Sequence, residues 1–321
     1  MLRAAAGGRG RRGVLALVLR CRGLRLLLAA LRGGLGLRAP AAGEQQRRRG
    51  AQRHGGDGPA HVLIPRSCCL VRVIENNGRM TTRARSFDAA AASYAAHRPG
   101  YPPALLDAVE ELAGRPLAGA RVADVGAGTG IATALLHGRG AEVVAVEPGD
   151  GMAAQLRRAH PGIPVVRGDG DRLPLATGAF DLLTYAQAWH WTDPARSVPE
   201  ARRVLRPGGA LAIWWNDADL TVPWIAEQEA RLAEFFGAAK GKGFRTLPRG
   251  LGGFTSRSVR WSRHIPLDAH LANLASHSAF LMLGEPGTRD YFAAERELLA
   301  PLFPDGTVEE SYVVSLHVTR V

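Results

Sequence analysis

Residues 122–130, Val-Ala-Asp-Val-Gly-Ala-Gly-Thr-Gly, constrain this chain more than any other stretch. Val122, Ala123 and Val125 read as a short buried parallel strand, with Asp124 inside it. Gly126, Gly128 and Gly130 follow at once. Glycines at that spacing let the chain turn tightly and let a ligand lie on the backbone. Ile131 to His137 then reads as a helix whose N-terminal amides face the ligand. Strand, glycine loop and helix in direct succession predict an α/β fold around a nucleotide-like cofactor.

The flanking pattern extends that unit. Pro102 to Leu112 reads as a helix with Leu105, Leu106, Val109 and Leu112 on one face. Ala141–Val146, Val165–Val166, Asp181–Tyr185 and Ala210–Trp215 read as strands, separated by helices at Met152–His160 and Pro194–Leu205. Pro207-Gly208-Gly209 is a breaker after the last of these helices. Such alternation means βαβ units and a parallel sheet. Beyond it, Pro223–Phe236, Asp268–Leu283 and Arg289–Leu302 read as helices. Arg257–Ile265 reads as a strand and Gly237–Gly253 as a loop. Ser311–Arg320 alternates like an antiparallel terminal strand at or near the sheet edge.

Net charge misleads at first. The formal +12 suggests a polyanion or membrane binder. Residues 1–80 hold 16 Arg, no Lys and only Glu44, Asp57 and Glu75 as acids, a net +13. That leaves 25 basic and 26 acidic residues for 81–321, a net −1. Cys21, Cys68 and Cys69 also lie in the first part, so residues 81–321 contain no disulfide or thiol nucleophile. Three readings fit residues 1–79: a targeting leader, a basic arm, or an extension outside the working protein. The third is preferred, because two Lys against 39 Arg fits GC-rich coding DNA. We expect 1–79 to be disordered, 80–321 to form the domain, and the location to be cytoplasmic. No run of about 18 apolar residues predicts a membrane span. The neutral body argues against nucleic acid.

Two cofactor types fit a glycine loop after a first strand. A nicotinamide site wants G-x-G-x-x-G, but position 131 is Ile131. Glu147 ends the second strand, where a carboxylate can accept bonds from both hydroxyls of a ribose. Gly168-Asp169-Gly170-Asp171-Arg172-Leu173-Pro174-Leu175 makes a polar turn after the third strand. Phe180-Asp181 opens the fourth, and Leu205-Arg206-Pro207-Gly208-Gly209 precedes the fifth. In this order and spacing the motifs resemble the class I S-adenosylmethionine-dependent methyltransferases. The small-molecule group with the quinone-biosynthesis and trans-aconitate types is the most similar. Arg98-Pro99-Gly100-Tyr101-Pro102 and Gln187-Ala188-Trp189-His190-Trp191 also resemble its bacterial and fungal members. The resemblance covers residues 86 to 216 well and the rest loosely.

The resemblance implies a Rossmann-like methyltransferase sheet, mostly parallel with an antiparallel C-terminal strand and helices on both faces. It implies S-adenosyl-L-methionine as cofactor. Asp124, Gly126, Ala127 and Gly128 would face its methionine half, Glu147 its ribose and Met152 its adenine, and Gly130 completes the cofactor-binding loop. Asp169 and the Gly170 amide would meet the adenine edge, although Ala-Glu is commoner than Gly170-Asp171 there. Gln187 would line the methionine side, and Arg98 would pair with the carboxylate. A small organic acceptor would bind among elements at about 217–305. His190 is the candidate general base, with a structural histidine as the competing reading. No histidine sits at metal-ligand spacing, so no metal is expected. Lys240, Lys242, Arg245 and Arg249 read as a solvated basic loop. The other classes weighed are a nucleic-acid or protein methyltransferase, a nicotinamide oxidoreductase and a non-catalytic cofactor binder. Ala186-Gln187-Ala188-Trp189 lacks the Pro-Pro-aromatic motif of base-modifying enzymes.

Overall fold

The computed structural model describes residues 18–21, 24–27, 61–62, 71–72, 91, 94–237, 246–283 and 287–321. The chain divides into two units, Met1–Gly56 and Asp57–Val321. In the first, β1 (Val18–Cys21) and β2 (Leu24–Leu27) pair antiparallel. In the second, β3 (His61–Val62) and β4 (Val71–Arg72) form another short antiparallel pair. The expectation of disorder over 1–79 otherwise lies outside the described residues, as do Lys240, Lys242 and Arg245 of the expected basic loop.

The rest of the second unit is built on a seven-stranded sheet. Its strands are β5 (Arg121–Val125), β6 (Glu142–Glu147), β7 (Val165–Arg167), β8 (Phe180–Ala186), β9 (Leu205–Ala218), β10 (Thr255–Pro266) and β11 (Thr307–Arg320). The order is β10-β11-β9-β8-β5-β6-β7. Strands β9, β8, β5, β6 and β7 pair parallel, and β11 runs antiparallel to both β9 and β10. The terminal strand is therefore one place in from the edge, and β10 is the edge.

Period-two alternation divides the apolar side chains between two faces. Val122, Val143, Leu182, Ala212, Trp214 and Leu316 share one core with α1 (Pro103–Ala113) and α2 (Ile131–Gly138). Ala123, Val144, Leu183, Ile213 and Trp215 share the other with α4 (Pro194–Val204), while α3 (Asp150–Ala159) packs on β6 and β7. Each fully buried Val or Leu contributes about 1.5–3 kcal/mol, so both faces need cover. A third core, including Leu232, Leu271, Phe280 and Leu299, joins α5 (Pro223–Phe236), α6 (Leu267–Ala275), α7 (Ser278–Leu283) and α8 (Arg289–Leu299).

Two expectations need correction. Residues 268–283 are two helices, because the Ser276 hydroxyl donates to the Asn273 carbonyl at 2.6 Å and its N–H bonds to Ala272 and Asn273. A local serine bond of this kind competes with continuation of the helix. The Pro207-Gly208-Gly209 breaker lies within β9 and does not precede it. Gly208 takes φ +76° and its N–H reaches the Val321 carbonyl at 2.8 Å, so the C-terminus edges the bend.

Candidate functional site

The loops after β5, β6 and β8 meet at the C-terminal ends of the parallel strands, the place where open α/β sheets take ligands. The three glycines after β5 have different reasons to be glycine. A Cβ on Gly126 would come within 2.5 Å of the Ala188 Cβ, and one on Gly130 within 2.8 Å of Leu156 Cγ. Gly128 has φ +59° and open space where its Cβ would be. The first and third let loops and helices approach; the middle one keeps the cradle clear. The Gly126 and Ala127 amides donate to the Val146 carbonyl at 2.8 and 3.1 Å, which laces the loop to β6.

Glu147 joins two loops. Its Oε2 accepts from the Gly128 amide at 2.8 Å and its Oε1 from the Gly149 amide at 2.7 Å. A carboxylate has about four acceptor sites, and these amides take two of them. The Thr129 hydroxyl, buried in the same loop, has no hydrogen-bond partner among the described residues. The clear space at Gly128, this orphan hydroxyl and the anchored carboxylate fit an adenosine-bearing cofactor. Met152 is buried on α3, directly after this loop.

Asp124 is fully buried, and its carboxylate accepts from Thr133 Oγ1 at 2.6 Å and Thr184 Oγ1 at 2.8 Å. Burial raises its pKa, and the two hydroxyl bonds oppose that rise. Asp124 thus clamps the first turn of α2 to β8 from beneath the glycine loop. Asp169 forms an Asx turn, accepting from the Asp171 and Arg172 amides at 3.0 Å each. A Cβ on Gly170 would lie 2.7 Å from Thr192 Cγ2 and 3.1 Å from the Tyr185 ring. Glycine at 170 therefore accommodates Tyr185 and Thr192, which explains the departure from alanine.

After β8, Gln187 is the single non-glycine residue at positive φ among the described residues, at +56°. Such strain clusters at functional sites. Its amide donates to the Trp214 carbonyl at 2.9 Å and its Nε2 to the Asn216 carbonyl at 3.0 Å. His190 lies in the 3-10 turn Trp189–Trp191, and its Nδ1 accepts from the Trp215 indole N–H at 3.3 Å. An indole N–H only donates, so the neutral imidazole carries its proton on Nε2. Arg98 lies over the Tyr94 ring at 4.9 Å, and Tyr101 packs edge-on to Trp214 at 5.9 Å.

The structure therefore brings Gly126, Gly128, Ala127 and Glu147 into one bonded unit. Asp169 and Gly170 join it through Tyr185 and the turn after β8. The Arg98 carbonyl accepts from Arg263 Nη1 of β10 at 3.4 Å. Sequence reasoning missed Thr133, Thr184 and Asn216. Thr133 and Thr184 lie 9 and 60 residues from Asp124, so no short motif contains the trio.

The model of a methyltransferase domain family matches residues 123–213, the span from β5 to β9. An uncharacterized methyltransferase of Mycobacterium bovis is 39% identical over 196 residues, 60% of this chain and 76% of that protein. The chain is a class I S-adenosylmethionine-dependent methyltransferase. A solved protein from Anaeromyxobacter dehalogenans, provisionally named a type II methyltransferase, superposes with a TM-score of 0.57 at 26% identity. The match covers 70% of this methyltransferase and 97% of that chain. A demethylmenaquinone methyltransferase of Beutenbergia cavernae is 40% identical over 123 residues, 38% of this chain and 49% of that protein.

A polar cleft of about 430 Å³ lies at the opposite end of the methyltransferase sheet, lined in part by Arg115, Arg121, Asp181 and Arg206. There Asp181 accepts from Arg115 Nη1 at 2.6 Å and from the Arg121 amide at 2.8 Å, and it pairs with Arg206. These ties join the starts of β5, β8 and β9. Among the described residues no helix is long and apolar enough to cross a membrane. Also among them, no group of three His, Cys, Asp or Glu is placed to hold a metal ion.

Proposed function

We propose that this methyltransferase binds S-adenosyl-L-methionine along the loops after β5, β6, β7 and β8 and methylates a small organic acceptor. The observation that carries the reading is the Glu147 carboxylate, fixed by the Gly128 and Gly149 amides beside open backbone. Glu147 is the residue for the ribose hydroxyls, and Gly126, Ala127, Gly128 and Gly130 for the methionine half. Asp124 acts from beneath, by holding α2 to β8. Met152 packs the adenine, with Asp169 and the Gly170 amide at its edge. Gln187 lines the methionine side, and Arg98 takes the carboxylate.

The bound cofactor supplies an electrophilic methyl group on a sulfonium. The chain has to align the acceptor and exclude water, and alignment can supply roughly 7–11 kcal/mol. The acceptor enters among the elements at 217–305, where Trp224, Phe236 and Phe292 pack, partly buried, against the third core. An organic acceptor with apolar surface is supported by these partly exposed aromatic side chains and by the demethylmenaquinone enzyme among the relatives. His190, with Nδ1 held by Trp215, presents a donor at Nε2; a general-base role requires that bond to open.

Calorimetry with S-adenosylhomocysteine against NAD on the full chain tests the cofactor. Saturable binding of the first alone is expected, and its absence overturns the reading. A methyl-transfer screen over quinols, phenols and carboxylic acids then tests the acceptor class.

A further inference from the structure

Arg263 on β10 belongs to none of the motifs above. Its Nε donates to Glu310 Oε2 at 2.7 Å. Its other two arms reach main chain 166 and 165 residues away: Nη2 donates to the His97 carbonyl at 2.9 Å and Nη1 to the Arg98 carbonyl at 3.4 Å. The other arginines of this edge strand differ. Arg257 and Arg260 pair with single carboxylates, Glu111 and Asp219.

The carboxylate behind Arg263 is 3% exposed and accepts three further donors. These are His270 Nδ1 at 2.6 Å, Asn273 Nδ2 at 3.1 Å and the Tyr312 hydroxyl at 2.7 Å. His270 Nε2 in turn accepts from Gln228 Nε2 at 3.0 Å. The second N–H of Gln228 reaches Glu295 at 3.1 Å, and Arg231 closes the chain on Glu295 at 2.6 and 3.0 Å. A continuous buried polar chain thus runs from α5, α6 and α8 through β11 to β10. It ends on the carbonyls that precede Pro99. Asn273 Oδ1 has no hydrogen-bond partner among the described residues, but the bonds given above link the other members, and a bonded buried network makes a rigid support.

We infer that Arg263 is a positioning residue of the methyl-transfer site. It seats the 94–101 segment across the C-terminal end of the sheet, so that Arg98 and Tyr101 close over the cofactor. Through Glu310 it ties that closure to the helices on the acceptor side. The inference rests on the cofactor reading proposed above. A guanidinium suits the task because its planar fork addresses three acceptors at once, whereas an ammonium is a point charge.

The test uses Arg263→Lys, which keeps the charge beside Glu310, and Arg263→Ala. Two quantities are read on the full chain: the Kd for S-adenosylhomocysteine, and amide hydrogen exchange of 94–101 with the remaining amides as control. In Arg263→Lys the Kd is expected to rise about tenfold and exchange to quicken about tenfold in that segment alone. Millimolar guanidinium is expected to restore part of the affinity in Arg263→Ala, which a general folding defect would not allow. Wild-type binding with an Arg263→Lys Kd within twofold overturns the proposal, whatever the exchange shows. If the wild-type chain binds no S-adenosylhomocysteine, the cofactor reading fails instead. Exchange then decides separately whether Arg263 seats the segment: unchanged exchange removes that role as well.

Discussion

At the scale of single residues, the glycine loop separates two demands that a motif merges. Gly126→Ala would drive a methyl into Ala188 at 2.5 Å in a φ +70° conformation. Overpacking and left-handed strain of this kind each cost about 1–3 kcal/mol. Gly128→Ala meets no atom, so only the strain at φ +59° opposes folding. On the cofactor reading proposed above, its methyl would instead enter the space that the cofactor takes. Thermal unfolding is therefore expected to show the larger loss for Gly126→Ala, and calorimetry the larger loss of S-adenosylhomocysteine affinity per unit of stability for Gly128→Ala. Equal ratios for the two would remove the distinction. Gly170 makes a related prediction. Gly170→Ala should destabilise through the 2.7 Å approach to Thr192 Cγ2. Adding Thr192→Ser deletes that methyl while keeping the hydroxyl bond to the Trp189 carbonyl. The double variant should regain most of the lost melting temperature, and failure to do so would place the clash on Tyr185.

At the scale of elements, the turn after β8 is held to β9 in two places. Gln187 bonds to the backbone at Trp214 and Asn216, and Trp215 holds His190. The Trp215 bond selects the Nε2–H tautomer, so Trp215→Phe should remove that selection. Nitrogen-15 spectra of the neutral imidazole would register this as growth of the Nδ1–H form; an unchanged spectrum would mean that Trp215 does not set the tautomer. The order of β5 to β9 was legible from apolar alternation and turn residues, because each strand and its following helix are local in sequence. So was the cradle, whose glycines and Glu147 fall within one βαβ unit. What was not legible depends on tertiary register. The split at Ser276 turns on one hydroxyl choosing a nearby carbonyl. The place of β11 inside β10 depends on a pairing between residues 41 to 63 apart. Asp124 is legible from the motif, but the two threonines that bond its carboxylate are not, because only the fold brings them near.

At the scale of the whole sheet-and-helix unit, the buried carboxylates give stability opposite dependences on pH. Burial alone would raise the Glu310 pKa. The bonds from His270 and Tyr312, with the nearby Arg263 charge, outweigh burial and lower it to about 2 from the ordinary 4.5. At about 1.36 kcal/mol per unit, that lowering is worth on the order of 3 kcal/mol. The folded state holds the ionised form more tightly than the unfolded chain does. This contribution is complete above about pH 4.5 and is lost as the pH falls toward about 2. Asp124 acts the other way: its pKa is raised by burial, so the folded state takes up that proton first and gains on acidification. Overall acid sensitivity mixes the two, and a Glu310→Gln variant separates them. The stability gap between wild type and Glu310→Gln, from urea unfolding between pH 6 and 3, should be constant above about pH 4.5 and narrow steadily below it. A gap that stays constant down to pH 3 would show that the Glu310 carboxylate is not held ionised by the chain from α5 to β10.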